Sequence, residues 1–485
     1  MSNVRTRFAP SPTGYMHLGN LRSALYTYLY AKHNGGSFIL RIEDTDQARY
    51  VEGAVDVIYN TLRGIGMQWD EGPDIGGAFG PYVQSERKDM YLPYAKKLVE
   101  EGKAYYCFCT KEELEERRAA ADARGEVWKY DKHCLNLSKE EVERRIAAGE
   151  PYVIRQNVPE HGEASFDDVI YGHIAVDCSE LDDMILIKAD GMPTYNFANV
   201  IDDHTMQITH VMRGNEYLAS TPKYNLLYDA FGWEKPVYIH MTPIMRDAQH
   251  KLSKRDGDAY YEDYLNKGYL SEAIVNYVAL LGWNPGDERE FFTLPELVEA
   301  FSVEGMSKSP AIFDPAKLTW MNQQYIKNLP EEKFSEYAEP YYKQAGVDGM
   351  DRSILFKCLH ERVDVFTTIP GIVAFLTELP EYGIELFTNK KSKTDPAVAK
   401  DVLELAIPAL EKLSGWKEEE VHDTLIGLAQ EKGMKNGTML WPVRIALAGQ
   451  EVTPGGAIEI AMLLGREESL RRLHVGLDKL LSAVK

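Results

Sequence analysis

Apolar positions in the first hundred residues alternate between the spacing of a strand and the spacing of a helix. "VRTRF" (4–8) has the composition of a short strand, and the leucines of "LGNLRSALYTYL" (18–29) then recur at helical spacing. "SFILRIED" (37–44) is the next predicted strand, and "VDVIYNTL" (55–62) carries a second helical pattern. This alternation predicts an α/β fold with a doubly wound parallel sheet, in which ligands bind beyond the carboxyl ends of the strands.

The pattern changes near residue 104. Two charged helical segments are followed there by the strand-like stretches "YVIRQNV" and "ASFDDVIYGHIAV". From residue 184 the strand, turn and helix return in "MILIKADGMPTYNFANVIDDH", and they repeat in "QITHVMRGNEYLASTPKYNLLYDAFG". The interruption predicts a Rossmann-like parallel sheet domain in two halves, 1–103 and 184–240, around an inserted α+β domain at 104–183.

From about residue 320 onward the chain shows helical periodicity alone, as in "AVAKDVLELAIPALEKL" and "AIEIAMLLG". We therefore predict an all-α region at 323–485. The longest apolar stretch, "AIVNYVALLGW" (273–283), is too short to span a bilayer and predicts a core helix.

Charge and cysteine content indicate which partners and which cellular compartment suit this protein. The 54 basic and 75 acidic residues give a net charge of −21, which alone argues against nucleic-acid binding, although a basic face can coexist with an acidic remainder. The five cysteines do not suggest a disulfide framework and favour a reducing compartment. No secretory signal is visible at the start. We expect a cytoplasmic protein with no membrane association.

The turn "APSPTGYMHLGN" (9–20) joins the first strand to the first helix. A helix N-terminus offers unpaired backbone N–H groups and a partial positive charge, and glycines allow a close backbone approach. His17 could donate a hydrogen bond to a phosphoryl oxygen there as charge develops on it. The alternative is a capped turn with an incidental surface histidine.

A basic loop, "RDAQHKLSKRDGDA" (246–259), carries Lys251, Lys254 and Arg255. Two lysines flanking "LS" could hold a triphosphate as mobile point charges. The alternative is a solvated surface loop. Because this loop follows the glycine-bent turn across an interrupted α/β sheet, the two features together favour a nucleotide site.

These two stretches resemble a known pair of signatures. "HLGN" (17–20) resembles the "HIGH" signature of the class I aminoacyl-tRNA synthetases, and "KLSKR" (251–255) resembles their "KMSKS" signature. The resemblance spans residues 4 to about 325 and continues more loosely through the helical tail. The stretches that narrow it to the bacterial glutamyl-tRNA synthetases are "RFAPSPTG", "RIEDTD", "YVQSER", "DGMPTYNFANVIDDH", "HVMRGNEYLASTP" and "DPAKLTWMN".

The resemblance implies roles for individual residues. The positions matching the catalytic signatures are His17, Asn20, Lys251 and Lys254. Those matching ATP-binding positions are Pro10, Gly14, His17, Gly19, Glu216, Ser253 and Lys254. Those matching the glutamate pocket are Arg7, Ser11, Glu43, Tyr195 and Arg213.

The residue types suit these roles. The planar fork of Arg7 matches the side-chain carboxylate of glutamate, and the Glu43 carboxylate suits the substrate ammonium. Tyr195 can wall the pocket while donating a hydrogen bond. The structural alternatives are an ion pair at the strand end for Arg7, ordinary core for Tyr195, and bracing of the sheet for Arg213.

The implied reaction has two steps. The α-carboxylate of L-glutamate attacks the α-phosphate of ATP, which enters with Mg²⁺, and a 2′-hydroxyl of tRNA then attacks the activated carbonyl. The resemblance implies that activation depends on bound tRNA and that the enzyme is a monomer. It leaves open whether glutamine tRNA is charged besides glutamate tRNA.

The resemblance also implies where tRNA binds. The inserted domain is expected to bind the acceptor end, residues 241–322 to form a stem-contact region with the KLSKR loop, and residues 323–485 to bind the anticodon. In that tail Arg362 and Arg444 are candidate tRNA contacts, and either could instead be a structural helix arginine.

Three cysteines, Cys107, Cys109 and Cys134, raise the question of zinc. Many relatives carry a C-x-C…C-x-H site in the inserted domain, but the position two after Cys134 is Asn136, a poor zinc ligand. Three thiols without a clear fourth ligand leave zinc open, with buried free cysteines as the alternative.

Other protein classes fit less well. Glutaminyl-tRNA synthetases normally end in β-barrels, whereas the tail of this chain is predicted to be helical. A truncated relative that modifies a tRNA base lacks the tail, and a plain nucleotidylyl transferase does not need one. A catalytically dead paralogue that only binds tRNA is expected to lose Arg7, His17 or Lys254, and all three are present.

Overall fold

A computed structural model of the chain describes residues 4–46, 49–253 and 259–483. These residues form two compact units. The first comprises the described residues up to Asp263 together with Ile274–Asp314, and the second comprises Tyr264–Ala273 together with the described residues from Pro315 onward. The first unit is α/β and the second is helical, in agreement with the predicted fold class.

The strands lie in the part of the chain before residue 313. In chain order they are β1 (Arg5–Phe8), β2 (Ser37–Leu40), β3 (Ala104–Cys107), β4 (Val153–Gln156), β5 (Glu163–Asp168), β6 (Gly172–Asp177), β7 (Ile185–Ile187), β8 (His210–Gly214), β9 (Val237–Met241), β10 (Ile244–Met245) and β11 (Ala311–Ile312).

The helices before residue 315 are α1 (Leu18–His33), α2 (Ala54–Gly64), α3 (Lys88–Glu100), α4 (Lys111–Ala123), α5 (Lys139–Ala147), α6 (Tyr195–Thr205), α7 (Thr221–Phe231), α8 (Tyr261–Asn266), α9 (Ser271–Leu280) and α10 (Leu294–Ala300). The spacing-based prediction of a helix after each of β1 and β2 is confirmed.

A parallel sheet forms the centre of the first unit. β1 pairs in parallel with β2, and β8 pairs in parallel with β9 from His210 opposite Val237 to Gly214 opposite Met241. Thr209 links the two pairs, because its N–H donates to the carbonyl of Arg5 and its carbonyl accepts from the N–H of Val237. The strands therefore run β2, β1, β8, β9, and β1 and β8 end at the same edge, where ligands of open α/β sheets bind.

A hairpin from the predicted insertion extends this sheet. β5 pairs with β6 as an antiparallel hairpin and also joins β9 in parallel, with Asp168 opposite Tyr238. Phe166 of β5 packs in one apolar cluster with Ile39, Val211 and Tyr238. Period-two alternation predicts that a segment is a strand, but it does not identify the neighbouring strand.

The start of the predicted second half also pairs differently. β7 is antiparallel to β4 in a separate three-stranded sheet, ordered β3, β4, β7. Strand pairing thus crosses the predicted boundary between 183 and 184 in both directions. The division of the chain into four functional regions stays a prediction.

The second unit is built from α11 (Pro315–Lys327), α12 (Glu331–Ala345), α13 (Arg352–Leu359), α14 (Ile369–Thr377), α15 (Pro396–Glu411), α16 (Glu418–Glu431), α17 (Asn436–Ala448) and α18 (Ala457–Ala483). Their apolar faces share one core, which includes Phe334, Leu403 and Leu473. Along the described ranges, we find no helix with the length and apolar character needed to cross a membrane.

Candidate active site

A cavity of about 190 Å³ lies at the carboxyl ends of β1 and β8. It contains every residue predicted to bind glutamate and part of the predicted nucleotide set. The predicted residues that line it are Arg7, Pro10, Ser11, Asn20, Glu43, Tyr195, Arg213 and Glu216. Further lining residues, to which the sequence analysis assigned no role, include Thr13, Ser23, Met212 and Tyr217.

Arg7 is held by a buried carboxylate. Its Nε lies 2.9 Å from Oδ1 of Asp203 and its Nη2 lies 3.1 Å from Oδ2, and both side chains are almost fully buried. Burial would lower the pKa of Arg7, but the Asp203 carboxylate raises it, so the guanidinium stays charged. Asp203 occupies the side-on edge of the fork, and Nη1 of Arg7 has no hydrogen-bond partner among the described residues.

Arg41 lies behind Arg7 and bridges two acids. Its Nη1 is 2.8 Å from Oδ1 of Asp203, and its Nη2 is 2.8 Å from Oε1 of Glu43. Burial would raise the pKa of Asp203, but the guanidinium groups of Arg7 and Arg41 lower it below its ordinary value. The charges in this buried group are therefore paired, which is the condition under which ionised side chains are retained in a protein interior.

Asp202 anchors the neighbouring part of the same network. It accepts hydrogen bonds from Arg87 at 2.7 Å, from Gln84 at 2.9 Å and from the hydroxyl of Tyr91 at 3.0 Å. All four side chains are buried. Asp202 on α6 thus holds Arg87 and Asp203 holds Arg7, while Arg41 lies within ion-pair distance of both acids.

Glu43 and Tyr195 contribute an acceptor and a donor to the lining. Burial raises the pKa of Glu43 above its ordinary value, against the opposing effect of Arg41 and Arg7. Burial and the nearby Glu43 also hold the pKa of Tyr195 well above its ordinary value, so its phenol keeps its proton and can donate a hydrogen bond. Such a pair suits a ligand with both ammonium and carboxylate groups.

Arg213 is fixed in a manner that parallels Arg7. Its Nε donates to Nε2 of His240 at 3.1 Å, and its Nη2 donates to Oγ1 of Thr221 at 2.7 Å. Its guanidinium lies 4.9 Å from the ring centroid of Tyr217 and 5.1 Å from that of Tyr224, which are cation–π distances. Nη1 of Arg213 has no hydrogen-bond partner among the described residues.

His17 caps the first helix and does not line the cavity. Its Nδ1 accepts the N–H of Gly19 at 3.0 Å, which assigns the proton of the neutral ring to Nε2. Gly14 has a φ of 119°, a conformation that favours glycine. A Cβ on Gly19 would lie 3.2 Å from the His17 ring, so Gly19 permits this cap. Gly19 therefore leaves space for the His17 ring to cap the helix.

Among the described residues of the second signature, Lys251 contacts a residue of the cavity lining. Nζ of Lys251 lies 3.8 Å from Oε2 of Glu216, and both side chains are more than half exposed. Leu252 is buried, and its N–H donates to the carbonyl of Ile244. Ser253 is partly buried and is not among the lining residues. Lys254 and Arg255 lie outside the described residues.

The three predicted cysteines form one cluster. The sulfurs of Cys107, Cys109 and Cys134 lie within 4.8 Å of one another. The hydroxyl of Tyr130 lies 3.2 Å from Sγ of Cys107 and 3.4 Å from Sγ of Cys109. Hydrogen bonds from Cys134, Tyr130 and Arg155 lower the pKa of Cys107 to about 4. These hydrogen bonds favour the thiolate form of Cys107, and the hydroxyl of Tyr130 lies beside the sulfurs, at a position that the sequence pattern did not indicate.

The two arginines predicted to bind tRNA lie in the helical unit. Arg362 lines a cavity of about 450 Å³ together with Gln450 and Thr453. Arg444 is half-buried, donates to the carbonyl of Glu451 and stacks on Trp441 at 4.5 Å. Burial, followed by the charge of Arg362, lowers the pKa of Arg444. The two positive side chains are thus close enough to repel each other.

Three of the fixing residues could not be recognised from their surroundings in the sequence. Asp203 lies between Asp202 and His204 near the end of α6, and nothing in this polar run distinguishes it from its neighbours. His240 and Asp168 sit in strands whose pattern indicates only alternation.

The sequence matches two family models. One is described as "tRNA synthetases class I (E and Q), catalytic domain" and matches residues 3–320, and the other as "Anticodon binding domain" and matches residues 317–477. The first covers the whole cavity and the second covers α12 to α17 of the helical unit.

Full-length relatives agree with these matches. The chain is 59% identical over 480 residues to a glutamate–tRNA ligase of Clostridium kluyveri and 59% identical over 485 residues to one of Clostridium novyi, with 99% of each chain covered in both cases. Its fold is similar to that of a crystal structure of a glutamate tRNA ligase from Elizabethkingia meningosepticum in complex with its amino acid. That match has a TM-score of 0.88 and 37% identity, and it covers 99% of this chain and 100% of the other.

Proposed function

The chain belongs to the glutamate–tRNA ligases of class I, and we propose that it activates L-glutamate in the cavity at the ends of β1 and β8. The observation that carries the proposal is the meeting of two fixed arginines, an acid and a phenol in one cavity, namely Arg7, Arg213, Glu43 and Tyr195. Glutamate carries two carboxylates and one ammonium group, and this set offers a partner for each.

Arg7 is the proposed partner of the glutamate side-chain carboxylate. Because Asp203 already holds Nε and Nη2, the free Nη1 is the nitrogen through which Arg7 would donate. Glu43 is the proposed partner of the ammonium group, and Ser11 and Tyr195 complete the pocket. Two fixed cationic groups favour a substrate with two carboxylates over one with a neutral amide.

In the first step, an oxygen of the glutamate α-carboxylate attacks the α-phosphorus of ATP. The bond to the bridging oxygen breaks, and glutamyl adenylate and pyrophosphate form. We propose that Nε2–H of His17 and the start of α1, with Pro10, Gly14, Gly19 and Asn20, stabilise charge on the phosphates. No nucleophilic side chain is needed, because catalysis rests on positioning and electrostatics.

Lys251 and Lys254 are the proposed counter-charges of the leaving pyrophosphate, with Ser253 beside them. The contact between Lys251 and Glu216 supports this, because it brings the KLSKR segment to the lining of the cavity. Aminoacyl-tRNA synthetases use ATP with Mg²⁺, which neutralises phosphate charge, and we assign no residue of this chain to the metal.

In the second step, the 2′-hydroxyl of the terminal adenosine attacks the glutamyl carbonyl and releases AMP. We propose that residues 104–183 bind the acceptor end, 241–322 contact the stem, and 323–485 bind the anticodon. Arg362 and Arg444 are the proposed anticodon contacts, since two neighbouring positive side chains in the helical unit suit an RNA ligand.

Zinc is the proposed structural metal of the thiol cluster. Cys107, Cys109 and Cys134 would hold it, with the hydroxyl of Tyr130 on the remaining side, and the metal would tie the end of β3 to the segment around Tyr130 and Cys134. None of the five cysteines forms a disulfide, which supports a reducing compartment, and we propose the cytoplasm.

The test is ATP–pyrophosphate exchange with each substrate omitted in turn. We expect exchange that requires both glutamate and tRNA. Exchange without RNA would remove the tRNA-dependent mechanism, and its absence with glutamate under any condition would overturn the assignment of the substrate.

Charging of purified glutamate and glutamine tRNAs decides whether glutamine tRNA is a second substrate, and light scattering of the enzyme tests our proposal of a monomer.

A further inference from the structure

His240 lies directly behind Arg213 in the sheet. The two residues are opposite each other on β9 and β8, and Nε2 of His240 accepts the Nε–H of Arg213 at 3.1 Å. On the other side of the ring, Nδ1 lies 2.7 Å from Oδ2 of Asp168. The side chains of His240 and Asp168 have no exposed surface. A continuous buried chain therefore runs from Asp168 through His240 to Arg213.

Asp168 is an acceptor on both of its oxygens. Oδ2 receives the backbone N–H of His240 at 3.0 Å as well as Nδ1–H, and Oδ1 receives the N–H groups of Ile170 and Tyr171, each at 2.9 Å. Four donors converge on one carboxylate. An amide in its place would turn an NH₂ group toward two of them, so the chemistry of this position requires an acid.

This arrangement determines the tautomer of His240. A proton on Nδ1 points to Asp168, which leaves the lone pair of Nε2 for Arg213. The imidazolium or the other tautomer would set an N–H of His240 against the Nε–H of Arg213. Burial lowers the pKa of His240, in agreement with the neutral ring. Thr221 completes the set, because it accepts from Nη2 of Arg213 and donates to the carbonyl of Tyr217.

We propose that Asp168 and His240 are positioning residues for the amino-acid substrate and act through Arg213. They hold Nε of Arg213, Thr221 holds Nη2, and Nη1 is left to bind a substrate carboxylate. Arg7 is held in the same way by Asp203, so the cavity contains two arginines with the same two nitrogens engaged. The inference rests on the proposed function in one respect, which is that the ligand of Arg213 is glutamate.

Asp168 comes from a different part of the chain than Arg213 and His240. Asp168 ends β5, in the segment predicted to be the inserted domain, whereas Arg213 and His240 belong to the parallel strands. The insertion thus supplies a residue that orients a group in the amino-acid pocket, besides any contact that it makes with tRNA.

The test compares KM for glutamate with KM for ATP in tRNA-supported pyrophosphate exchange. His240→Leu removes both hydrogen bonds, and His240→Gln keeps a carbonyl oxygen for Arg213. We expect His240→Leu to raise KM for glutamate by about tenfold or more while KM for ATP changes less than about twofold, and His240→Gln to recover most of the loss. The matched control is His210→Leu, on the same strand as Arg213 and away from the cavity, which should leave both values unchanged.

Two further measurements test the proposal if His240→Leu does not fold or if the enzyme shows no exchange. If His240→Leu does not fold, Thr221→Val removes the other tether and Thr221→Ser restores it, with the same expected split between glutamate and ATP. If the wild-type enzyme itself shows no glutamate-dependent exchange, the proposed function fails, and crystal structures of His240→Leu and Thr221→Val, compared with that of the wild type, decide the positioning role by the orientation of the Arg213 guanidinium. An unchanged KM for glutamate in His240→Leu, an equal rise for ATP, or an Arg213 that keeps its orientation without either tether would overturn the proposal.

Discussion

Asp203 holds Arg7 through both carboxylate oxygens, with Nε 2.9 Å from Oδ1 and Nη2 3.1 Å from Oδ2. The pair is formed by two residues of the chain itself, so the protein fixes the orientation of the guanidinium and keeps it charged. A group that is fixed in advance loses little further freedom on binding, which favours affinity and specificity. The ion pair expected as the structural alternative for Arg7 is therefore compatible with a role in binding.

Arg7→Ala should impair the use of glutamate far more than that of ATP. Truncating one partner of a buried charge pair is worth about 2–5 kcal/mol, so kcat/KM for glutamate should fall by about 30-fold or more. KM for ATP should stay nearly unchanged. The matched control is Arg5→Ala. Arg5 lies on the same strand as Arg7, and its substitution removes an ion pair with Glu71. Steady-state kinetics of exchange measure both, and equal losses in the two variants would contradict the role of Arg7.

Asp203→Asn should destabilise the first unit strongly. It leaves Arg7 and Arg41 buried with their shared counter-charge removed, and breaking such a buried pair lowers the free energy of unfolding by about 3–5 kcal/mol. The matched control, Glu101→Gln, breaks the exposed ion pair with Lys97 and should change the free energy of unfolding by less than about 1 kcal/mol. Denaturant titrations of both variants give the comparison. Similar values would show that the buried network adds little stability.

Lys251→Ala should slow the chemical step with little effect on KM for glutamate. Removing a charge that acts on the developing pyrophosphate should lower kcat by roughly 10–100-fold, somewhat less than the loss of a fully buried donor. Lys235→Ala removes another exposed lysine, which pairs with Asp229 away from the cavity, and should have no effect. Single-turnover formation of adenylate measures the step. A change confined to KM for glutamate would place Lys251 in the amino-acid pocket instead.

Stability should depend on pH through His240. Burial lowers the pKa of His240 below its ordinary value of 6.5. As the pH falls below 6.5, the unfolded chain takes up a proton that the folded ring does not, so the free energy of unfolding decreases until the folded pKa is reached. The groups that face the ring are Asp168, Arg213, Glu216, Tyr238 and Phe166.

The variant His240→Gln lacks this titration. Between pH 6.5 and 5, the free energy of unfolding should therefore decline more steeply for the wild type than for the variant. Taking the difference between the two proteins cancels the contributions of His204 and His210, whose pKa values burial also lowers. Denaturant titrations across this range measure the slopes, and parallel slopes would indicate that the pKa of His240 is the same in the folded and the unfolded protein.

Most of the fold could be predicted because the relevant signals are local. The leucines of α1, the cap at His17 and the alternation along β5 are each contained in fewer than twenty residues. The five glutamate-pocket residues sit at strand ends and a helix start, so a parallel sheet brings them to one edge.

The partners of those residues could not be predicted, because they are distant in the chain. Asp203 is 196 residues from Arg7, and Asp168 is 72 residues from His240. Nothing in a strand pattern states that β5 joins β9, and that pairing is what brings Asp168 to His240. Three-dimensional packing supplies the information that periodicity lacks.

The same limit applies to the thiol cluster. The family spacing places a fourth zinc ligand two residues after Cys134, where this chain has Asn136. The structure instead brings the hydroxyl of Tyr130, four residues before Cys134, to 3.2 Å from Sγ of Cys107. A ligand set assembled by a folded loop need not follow a fixed spacing.

Protein purified without chelator should contain about one zinc ion per chain, measured by mass spectrometry of the metal. Cys134→Ser should lose it and melt at a lower temperature, because the metal would tie the end of β3 to the loop that carries Tyr130. Tyr130→Phe should keep the metal but release it at a lower chelator concentration, since three thiolates remain. Cys178→Ser is the matched control, a buried free thiol outside the cluster, and should behave as wild type. Full zinc content in Cys134→Ser would show that the three sulfurs are ordinary buried thiols.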